Sequence, residues 1–346
     1  MTYYENFEEF IMSASHPIPN GSNLLIVCNT KNKTSISNDY SNFKVNTEYL
    51  NDNEEQEIMD LAYKLNLPFN IFYNERDFMK FIINKINDID LNKIIVYNSA
   101  QSGIGAGRKS LIPAFCKYFN MRITGSDSYR VSLCRDKFSI YSILNSLQIP
   151  VPKSVLFENN STINLEDGLK YIAKPLYESS SIGIDSRNIF LGSNIPYEHL
   201  NKLSETLNQP LIIQEFKYGY EVEIPILCNN KKYFCLEPVC LHKNKENRIM
   251  GNDILSYTEI YDDKYYFSPL PQSFDLKKLK QVAVNVANLL SLNGLCRVDF
   301  RVNSAGEFWI TDVSTNPHFI SHSSVAHSMK LTGINKNILE LILLLS

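Results

Sequence analysis

Two runs near the carboxyl end of the chain, CRVDFRV at residues 296–302 and FWITDV at residues 308–313, predict two strands. The first run alternates charged and apolar residues, and successive side chains of a strand point to opposite faces of its sheet. Arg297, Asp299 and Arg301 then share one face, with apolar side chains on the other. The five residues between the runs are polar or small and predict a turn, so we expect a β-hairpin with one charged face.

Two registers of this hairpin remain open. If it closes about residues 304–305, Arg297 faces Asp312 and Asp299 is a diagonal neighbour of Asp312. Closure one residue later sets the two carboxylates directly opposite each other. Either arrangement gathers two carboxylates and an arginine, a set suited to Mg²⁺, which binds through one or two carboxylates plus nucleotide phosphates. The alternative is a solvated strand face with an ordinary surface ion pair.

A lysine followed by a hydroxyl-rich loop lies upstream, in KPLYESSSIG at residues 174–183. Such a loop offers backbone N–H and hydroxyl donors to phosphate oxygens, with the lysine as a point charge. A flexible surface loop is the alternative. Further on, QEFKYGYEVE at residues 214–223 places Glu221 and Glu223 on one strand face, where a carboxylate would accept hydrogen bonds from ribose hydroxyls. A plain polar strand face is the alternative there.

The segment Gly103–Ser110 nearly forms a Walker A phosphate loop. Arg108, however, separates Gly107 from Lys109, and this spacing excludes the motif. We therefore interpret the segment as a turn between a strand and a helix that lines a substrate cleft. Lys109 is not expected to contribute to ATP affinity.

The order of the remaining patterns indicates a mixed fold. Strands and amphipathic helices alternate in the first third of the chain, which predicts a parallel α/β layer. After Pro210 the pattern becomes β-rich, which predicts an antiparallel sheet with one helix among its strands. The expected helices are 54–65, 111–119, 136–148, 276–290 and a docked carboxyl-terminal helix; the expected strands are 24–28, 93–97, 154–157, 171–173, 211–216, 220–228, 232–240, 294–302 and 308–313.

Composition narrows the class of protein. The chain has 346 residues, 44% of them apolar and 21% charged, as is ordinary for a soluble globular protein. A net charge of -3 gives no reason to expect a nucleic-acid partner. The seven cysteines are odd in number and form no C-x-x-C pair, which favours reduced thiols in a cytoplasmic protein. No apolar run approaches the ~20 residues needed to cross a bilayer, so we expect no membrane partner.

Taken in order, Lys137, KPLYESSSIGI, IIQEFKYGYEVE, CRVDF and DVSTNPHFISHSS resemble the D-alanine–D-alanine ligase branch of the ATP-grasp superfamily. The resemblance runs from about residue 94 to residue 335 and is specific, since several dispersed motifs occur in one order. It implies an ATP-grasp fold of class α/β and α+β. The expected division is an N-terminal parallel α/β domain at 1–128, a central small α+β subdomain at 129–215 and a C-terminal antiparallel-sheet subdomain at 216–346.

The resemblance also implies a role for each matching residue. It assigns catalytic roles in charge stabilisation, in the phosphate lid and in binding the acceptor carboxylate to Arg297, Ser181 and Ser323, respectively. ATP would be bound at its phosphates, adenine and ribose by Lys137, Lys174, Glu178, Ser180, Gln214, Glu215, Phe216 and Glu221. Mg²⁺, for which Mn²⁺ can substitute, would be bound by Asp299, Asp312 and Ser314.

Such an enzyme phosphorylates a small-molecule carboxylate and lets an amine attack the acyl-phosphate, and the family often forms homodimers. This chain departs from the family at Ser314, where the usual pattern Glu-x-Asn becomes Asp-Val-Ser, and at His318, which replaces a glycine. It also lacks the N-terminal Gly-Gly-x-Ser-x-Glu segment and a lysine in the loop at 254–263. We therefore expect an amino-acid or peptide ligase whose product is not D-alanyl-D-alanine. The alternative is a degenerate ATP-grasp protein that binds nucleotide as a regulatory module.

Overall fold

The computed structural model describes residues 1–35, 43–103, 105–243, 245 and 249–346. Ile104, within the predicted turn Gly103–Ser110, lies outside the described residues. Within the described residues the strands are β1 Thr2–Tyr4, β2 Asn23–Cys28, β3 Phe69–Phe72, β4 Ile94–Ser99, β5 Arg122–Ile123, β6 Ser154–Phe157, β7 Lys170–Pro175, β8 Ile189–Leu191, β9 Leu211–Glu215, β10 Tyr220–Asn229, β11 Lys232–Cys235, β12 Val239–His242, β13 Tyr266–Pro269, β14 Gly294–Val302 and β15 Phe308–Ser314.

The helices connect and cover these strands. They are α1 Phe7–Ala14, α2 Asp52–Tyr63, α3 Glu75–Lys85, α4 Leu111–Tyr118, α5 Ser128–Arg135, α6 Lys137–Ser146, α7 Tyr197–Leu207, α8 Tyr257–Tyr261, α9 Leu276–Leu289, α10 Ser324–Thr332 and α11 Ile338–Leu344. Within the described part of the chain, none of these helices is long and apolar enough to cross a bilayer.

The first sheet is parallel, with strand order β3-β2-β4-β5. The side chains of Leu24–Cys28 are almost completely buried on both faces. Helices α3 and α4 cover one face, and α1, α2 and α11 cover the other. A sheet buried on both faces needs the continuous apolar run found in LLIVC, and the predicted parallel layer is confirmed.

The second sheet is antiparallel, with order β6-β9-β7-β8. Helix α7 packs Leu200, Leu203 and Leu207 onto it. Strand β7 carries Lys174 next to its end, so the hydroxyl-rich loop leaves the sheet directly after this lysine.

The third sheet has seven strands, and the long strand β10 is its centre. Strands β11 and β12 pair with one edge of β10, and β14 pairs with the other edge and then with β15. Helices α6 and α9 bury their apolar residues in the core beneath this sheet. The predicted antiparallel sheet is confirmed.

Two details of the third sheet differ from the sequence prediction. The run 232–240, predicted as one strand, forms β11 and β12 with a break at 236–238. Pro238 lies in that break and has no N–H to donate to a neighbouring strand. In addition, β1 from the start of the chain pairs in parallel with β11, so the N-terminal segment contributes to two sheets. The division at 128 and 215 stays a prediction.

Candidate functional site

One cavity of about 520 Å³ lies between the three sheets, a size typical of small-molecule sites. Every residue predicted to bind or react lines it: Lys137, Lys174, Glu178, Ser180, Ser181, Gln214, Glu215, Phe216, Glu221, Arg297, Asp299, Asp312, Ser314 and Ser323. The structure therefore brings together residues that are up to 186 positions apart, from Lys137 to Ser323.

The floor of the cavity carries three carboxylates in a row across neighbouring strands, Glu223 on β10, Asp299 on β14 and Asp312 on β15. Asp299 lies directly opposite Glu223 in one strand pair and directly opposite Asp312 in the other. Like charges placed opposite each other in a sheet are destabilising. This carboxylate row therefore needs positive charge from elsewhere.

A one-residue bulge decides the hairpin register. Next to the turn, Val302 pairs with Phe308 and Phe300 with Ile310, which fits neither predicted closure. The register then shifts by one residue at Thr311, and this shift sets Asp299 opposite Asp312. Tyr141 of α6 donates a hydrogen bond to the Thr311 carbonyl oxygen and so supports the bulge. The two carboxylates are opposite, as in the second predicted alternative, but for a different reason.

Arg297 neutralises part of the carboxylate row. Its guanidinium donates to both oxygens of Asp299, at 2.7 Å each, and lies 2.8 Å from a Glu223 oxygen. Burial still raises the pKa of Asp299 well above its usual range; Arg297 opposes this, while Glu223 and Asp312 add to it. Asp312 makes no hydrogen bond or ion pair with any described residue. Three carboxylates with one arginine leave a surplus of negative charge.

This surplus fits a divalent cation. Within the described ranges, no group of three His, Cys, Asp or Glu side chains is arranged to hold a metal ion by itself. Mg²⁺ commonly uses only one or two carboxylates and completes its shell with phosphate and water oxygens. Ser314 of β15 lies opposite Arg297 of β14 and adds a hydroxyl to this end of the carboxylate row. Asp299, Asp312 and Ser314 therefore suit Mg²⁺ that binds as a complex with a polyphosphate.

Two partly buried lysines line the same cavity. Lys137 starts α6, and its ammonium donates to the carbonyl oxygen of Glu178. Burial lowers the pKa of Lys137 to about 8, although Asp312 raises it, and burial also lowers the pKa of Lys174. A buried ammonium gains stability from an anionic partner. The lysines can therefore bind the phosphate groups of a metal–polyphosphate complex, while the carboxylate row binds its metal ion.

The hydroxyl-rich loop is held in an uncommon backbone conformation. Ser180 and Ser181 both have φ near +52°, in the left-handed region that non-glycine residues rarely adopt. Ser181 donates a 2.7 Å hydrogen bond to the carbonyl oxygen of Leu255. The loop is thereby tied to the segment that follows β12, and the two together close one side of the cavity.

The strand ends at β9 and β10 form the other end of the cavity. Gln214 is buried, and its side-chain nitrogen has no hydrogen-bond partner among the described residues. Glu215 forms an ion pair with Lys217, Phe216 lies under Arg301 at 5.4 Å, and Glu221 accepts from Arg301 at 2.5 Å. An unpaired buried donor beside an aromatic ring and a carboxylate suits a nucleobase and its ribose.

Gly219, between these strands, has no room for a side chain. Its φ is +145°, and a Cβ atom would lie 2.2 Å from the carbonyl oxygen of Val302. We expect Gly219→Ala to reduce the free energy of unfolding by about 3 kcal/mol or more, from strain and displaced backbone. Gly306→Ala is the control, because its φ is +81° with nothing within 4 Å, and should cost only about 1 kcal/mol. Urea unfolding of both variants tests this; equal losses would contradict it.

Sequence reasoning missed a buried ion-pair network of Glu48, Arg108, Arg135 and Glu178. Arg108 is completely buried and lies 2.6 Å from a carboxylate oxygen of both Glu48 and Glu178. Arg135 lies 3.4 Å from the same two carboxylates. Burial alone would raise the pKa of Glu48, but Arg108, Arg135 and Lys109 hold it well below its usual range. Glu178, predicted to bind nucleotide, has its carboxylate in this network.

The acceptor end of the cavity contains Ser323 and His318. Ser323 caps α10, where its hydroxyl oxygen accepts from the N–H of Ala326 at 3.2 Å. Its hydroxyl proton is still available for a substrate carboxylate. Burial and, to a smaller extent, the nearby ammonium of Lys109 together lower the pKa of His318 to about 4. The imidazole of His318 is therefore neutral at physiological pH where it lines the cavity.

Comparison with known proteins identifies the architecture. A family model described as the D-ala D-ala ligase C-terminus matches residues 144–344, more than half of the chain. The chain belongs to the D-alanine–D-alanine ligase family. The predicted resemblance is confirmed, and this family-level assignment makes the chain an ADP-forming ATP-grasp ligase.

Relatives and solved structures agree with this assignment. A D-alanine–D-alanine ligase of Buchnera aphidicola is 29% identical over 67% of this chain and 75% of its own length. One from Thermotoga petrophila is 24% identical over 81% of this chain and 87% of its own length. The structure of a D-alanine–D-alanine ligase from Bacillus anthracis complexed with ATP has a TM-score of 0.66 at 16% identity, covering 93% of this chain and 96% of that one. The ATP-grasp fold is confirmed.

Proposed function

We propose that this ATP-grasp ligase joins a small-molecule carboxylate to an amine through an acyl-phosphate and releases ADP and phosphate. One observation carries the proposal: the two lysines and the carboxylate row line a single cavity. The same cavity is lined by Gln214, whose side-chain nitrogen has no hydrogen-bond partner among the described residues and could donate to an adenine. Positioning and charge neutralisation account for most of the catalysis in such a site. A Ser-His-Asp nucleophile set is not required.

The proposed roles are those that the family resemblance implies, and the shared cavity lining supports them. Lys137 and Lys174 bind the α- and β-phosphates, and Ser180 and Ser181 form the lid over them. Gln214, Glu215 and Phe216 bind the adenine, and Glu221 binds the ribose. Mg²⁺ held by Asp299, Asp312 and Ser314 would neutralise phosphate charge when bound. Glu178 acts beside the lid by fixing Arg108 and Arg135.

Arg297 has two tasks in this proposal. It screens Asp299 and Glu223 in the present structure, and it faces the point where negative charge develops when an amine attacks the acyl-phosphate. A preorganised guanidinium at that point stabilises the oxyanion more than the ground-state carbonyl. Ser323, at the N-terminus of α10, would hold the carboxylate of the amine-donating substrate.

The relatives are named for D-alanine, and for this chain we propose a different substrate pair. The support is local: Asp312-Val-Ser314 replaces the family's Glu-x-Asn, and His318 fills a glycine position. In addition, Glu48 is already saturated by arginines rather than open to a substrate amine. The organisation into 1–128, 129–215 and 216–346, the homodimer and the cytoplasmic location are also proposals.

A phosphate-release assay of the purified protein tests the function. We expect ATP hydrolysis to ADP and phosphate only when both a carboxylate and an amine are present, and D-alanine alone to be a poor substrate. Chromatography of the nucleotide products distinguishes the mechanisms, because AMP and pyrophosphate would contradict an acyl-phosphate. ATP binding without turnover on any pair would instead support the regulatory nucleotide-binding alternative.

A further inference from the structure

The turn at Gly103–Ser110 carries a lysine that the proposed function does not use. Lys109 lines the cavity, and its side chain is 16% exposed, whereas Arg108 beside it is fully buried. Its φ is +70°, a strained conformation for a residue with a side chain. A hydrogen bond from the Ser110 N–H to the Gly107 carbonyl oxygen, 3.2 Å long, closes the turn that presents it. Backbone strain of this kind is common at functional sites.

The charges around Lys109 do not balance. Glu48 and Glu178 supply two negative charges, and Arg108, Arg135 and Lys109 supply three positive charges. Both arginines contact both carboxylates, while Lys109 reaches only Glu48, at 3.3 Å. Two cations therefore match the two carboxylates without Lys109. The third cation is the one that faces the cavity.

Among the residues that the structure describes, the other neighbours of Lys109 do not supply the missing negative charge. His318, which packs near it, is neutral at physiological pH because burial lowers its pKa to about 4. Glu54 and Asp263, at the same end of the cavity, lie 3.4 and 3.5 Å from the imidazole of His322. Burial also lowers the pKa of Lys109 to about 7, so an anionic ligand would restore its charge.

We propose that Lys109 binds a second anionic group of the substrate whose carboxylate is phosphorylated, so that this substrate is a dicarboxylate or an equivalent dianion. The inference rests on the proposed ligase function. One carboxylate lies beside Arg297 for activation, and the other forms an ion pair with Lys109. Lys109 is thus a specificity-determining residue in the lining of the cavity.

Calorimetry on the full-length protein tests this without requiring turnover. With Mg²⁺ and a non-hydrolysable ATP analogue present, we would titrate three- to six-carbon dicarboxylates and, as matched ligands, their half-amides. At least one dicarboxylate is expected to bind about 10-fold more tightly than its half-amide, the scale of one charge-assisted contact. Lys109→Gln should abolish that preference. Lys33→Gln is the matched control, because Lys33 pairs with Glu55 outside the cavity lining, and should retain it.

Three results would overturn the inference. In the first, every dicarboxylate binds as tightly as its half-amide. In the second, the preference for the dicarboxylate persists in Lys109→Gln. In the third, Lys109→Gln loses affinity for the ATP analogue. The last would place Lys109 on the triphosphate instead. Failure of the ligase proposal is a separate observation: it would appear as absent ADP release with all amines while the dicarboxylate preference persists.

Discussion

Replacing Asp312 by Asn is expected to lower kcat for ADP formation by at least about 100-fold, the scale on which metal sites respond to lost partners. The variant keeps the shape of the side chain but removes one of the two negative charges that would hold Mg²⁺ against the γ-phosphate. Because Asp312 forms no hydrogen bond or ion pair with the described residues, the fold should be unaffected. Removal of a like charge opposite Asp299 should even relieve repulsion.

The comparison requires a control on the same hairpin. Glu307→Gln changes an exposed carboxylate that, among the described residues, accepts a hydrogen bond only from the Asn303 side chain. The rate of this variant should equal that of the unaltered protein. Steady-state phosphate release at saturating ATP gives kcat, and circular dichroism checks folding. Near-normal turnover by Asp312→Asn would show that the carboxylate row does not hold the catalytic cation.

Replacing Arg108 by Met is expected to reduce the free energy of unfolding by about 3–5 kcal/mol, the usual cost of leaving a buried charge unpaired. Arg108 is the only member of the ion-pair network within 2.6 Å of both Glu48 and Glu178 among the described residues. Without it, the two buried carboxylates keep Arg135 at 3.4 Å, and Glu48 also keeps Lys109 at 3.3 Å. Urea unfolding followed by fluorescence measures the loss.

Two further variants separate buried charge from lost packing. Arg187→Met removes an exposed ion pair with Asp185 and should cost less than about 1 kcal/mol. The double variant Arg108→Met/Glu178→Gln removes one of the orphaned charges and should recover part of the stability. A double variant as unstable as Arg108→Met would mean that the arginine acts through packing alone.

The sequence predicted the elements whose periodicity is strong. Strand β14 has the predicted bounds, and α9 and β6 end within one residue of theirs, because each has a regular apolar face against the core. The parallel layer was predicted from the alternation of strands and helices in the first third of the chain. The apolar runs LLIVC and IIVY suit it, because both faces of that sheet are buried. The charged face of the hairpin followed from simple alternation.

The parts that were missed depend on contacts between distant segments. Glu48, Arg108 and Glu178 are in contact although they span 130 residues of sequence. No local sequence pattern predicts such a contact. The bulge at Thr311 likewise has a long-range contact, a hydrogen bond from Tyr141 of α6 to the Thr311 carbonyl oxygen. One feature of the sequence does point to the network in retrospect. Arg108 and Lys109 are adjacent in a glycine-rich turn, and two neighbouring cations there are consistent with carboxylate partners elsewhere in the chain.

The central claim is that Lys137, Lys174, Asp299 and Asp312 surround one nucleotide triphosphate. A crystal structure with Mg²⁺ and a non-hydrolysable ATP analogue tests it most directly. The account predicts phosphate oxygens in contact with both ammonium groups, and a cation that bridges phosphate to the carboxylates of Asp299 and Asp312. A nucleotide bound on the turn at Gly103–Ser110, or a cation held away from β14 and β15, would contradict it.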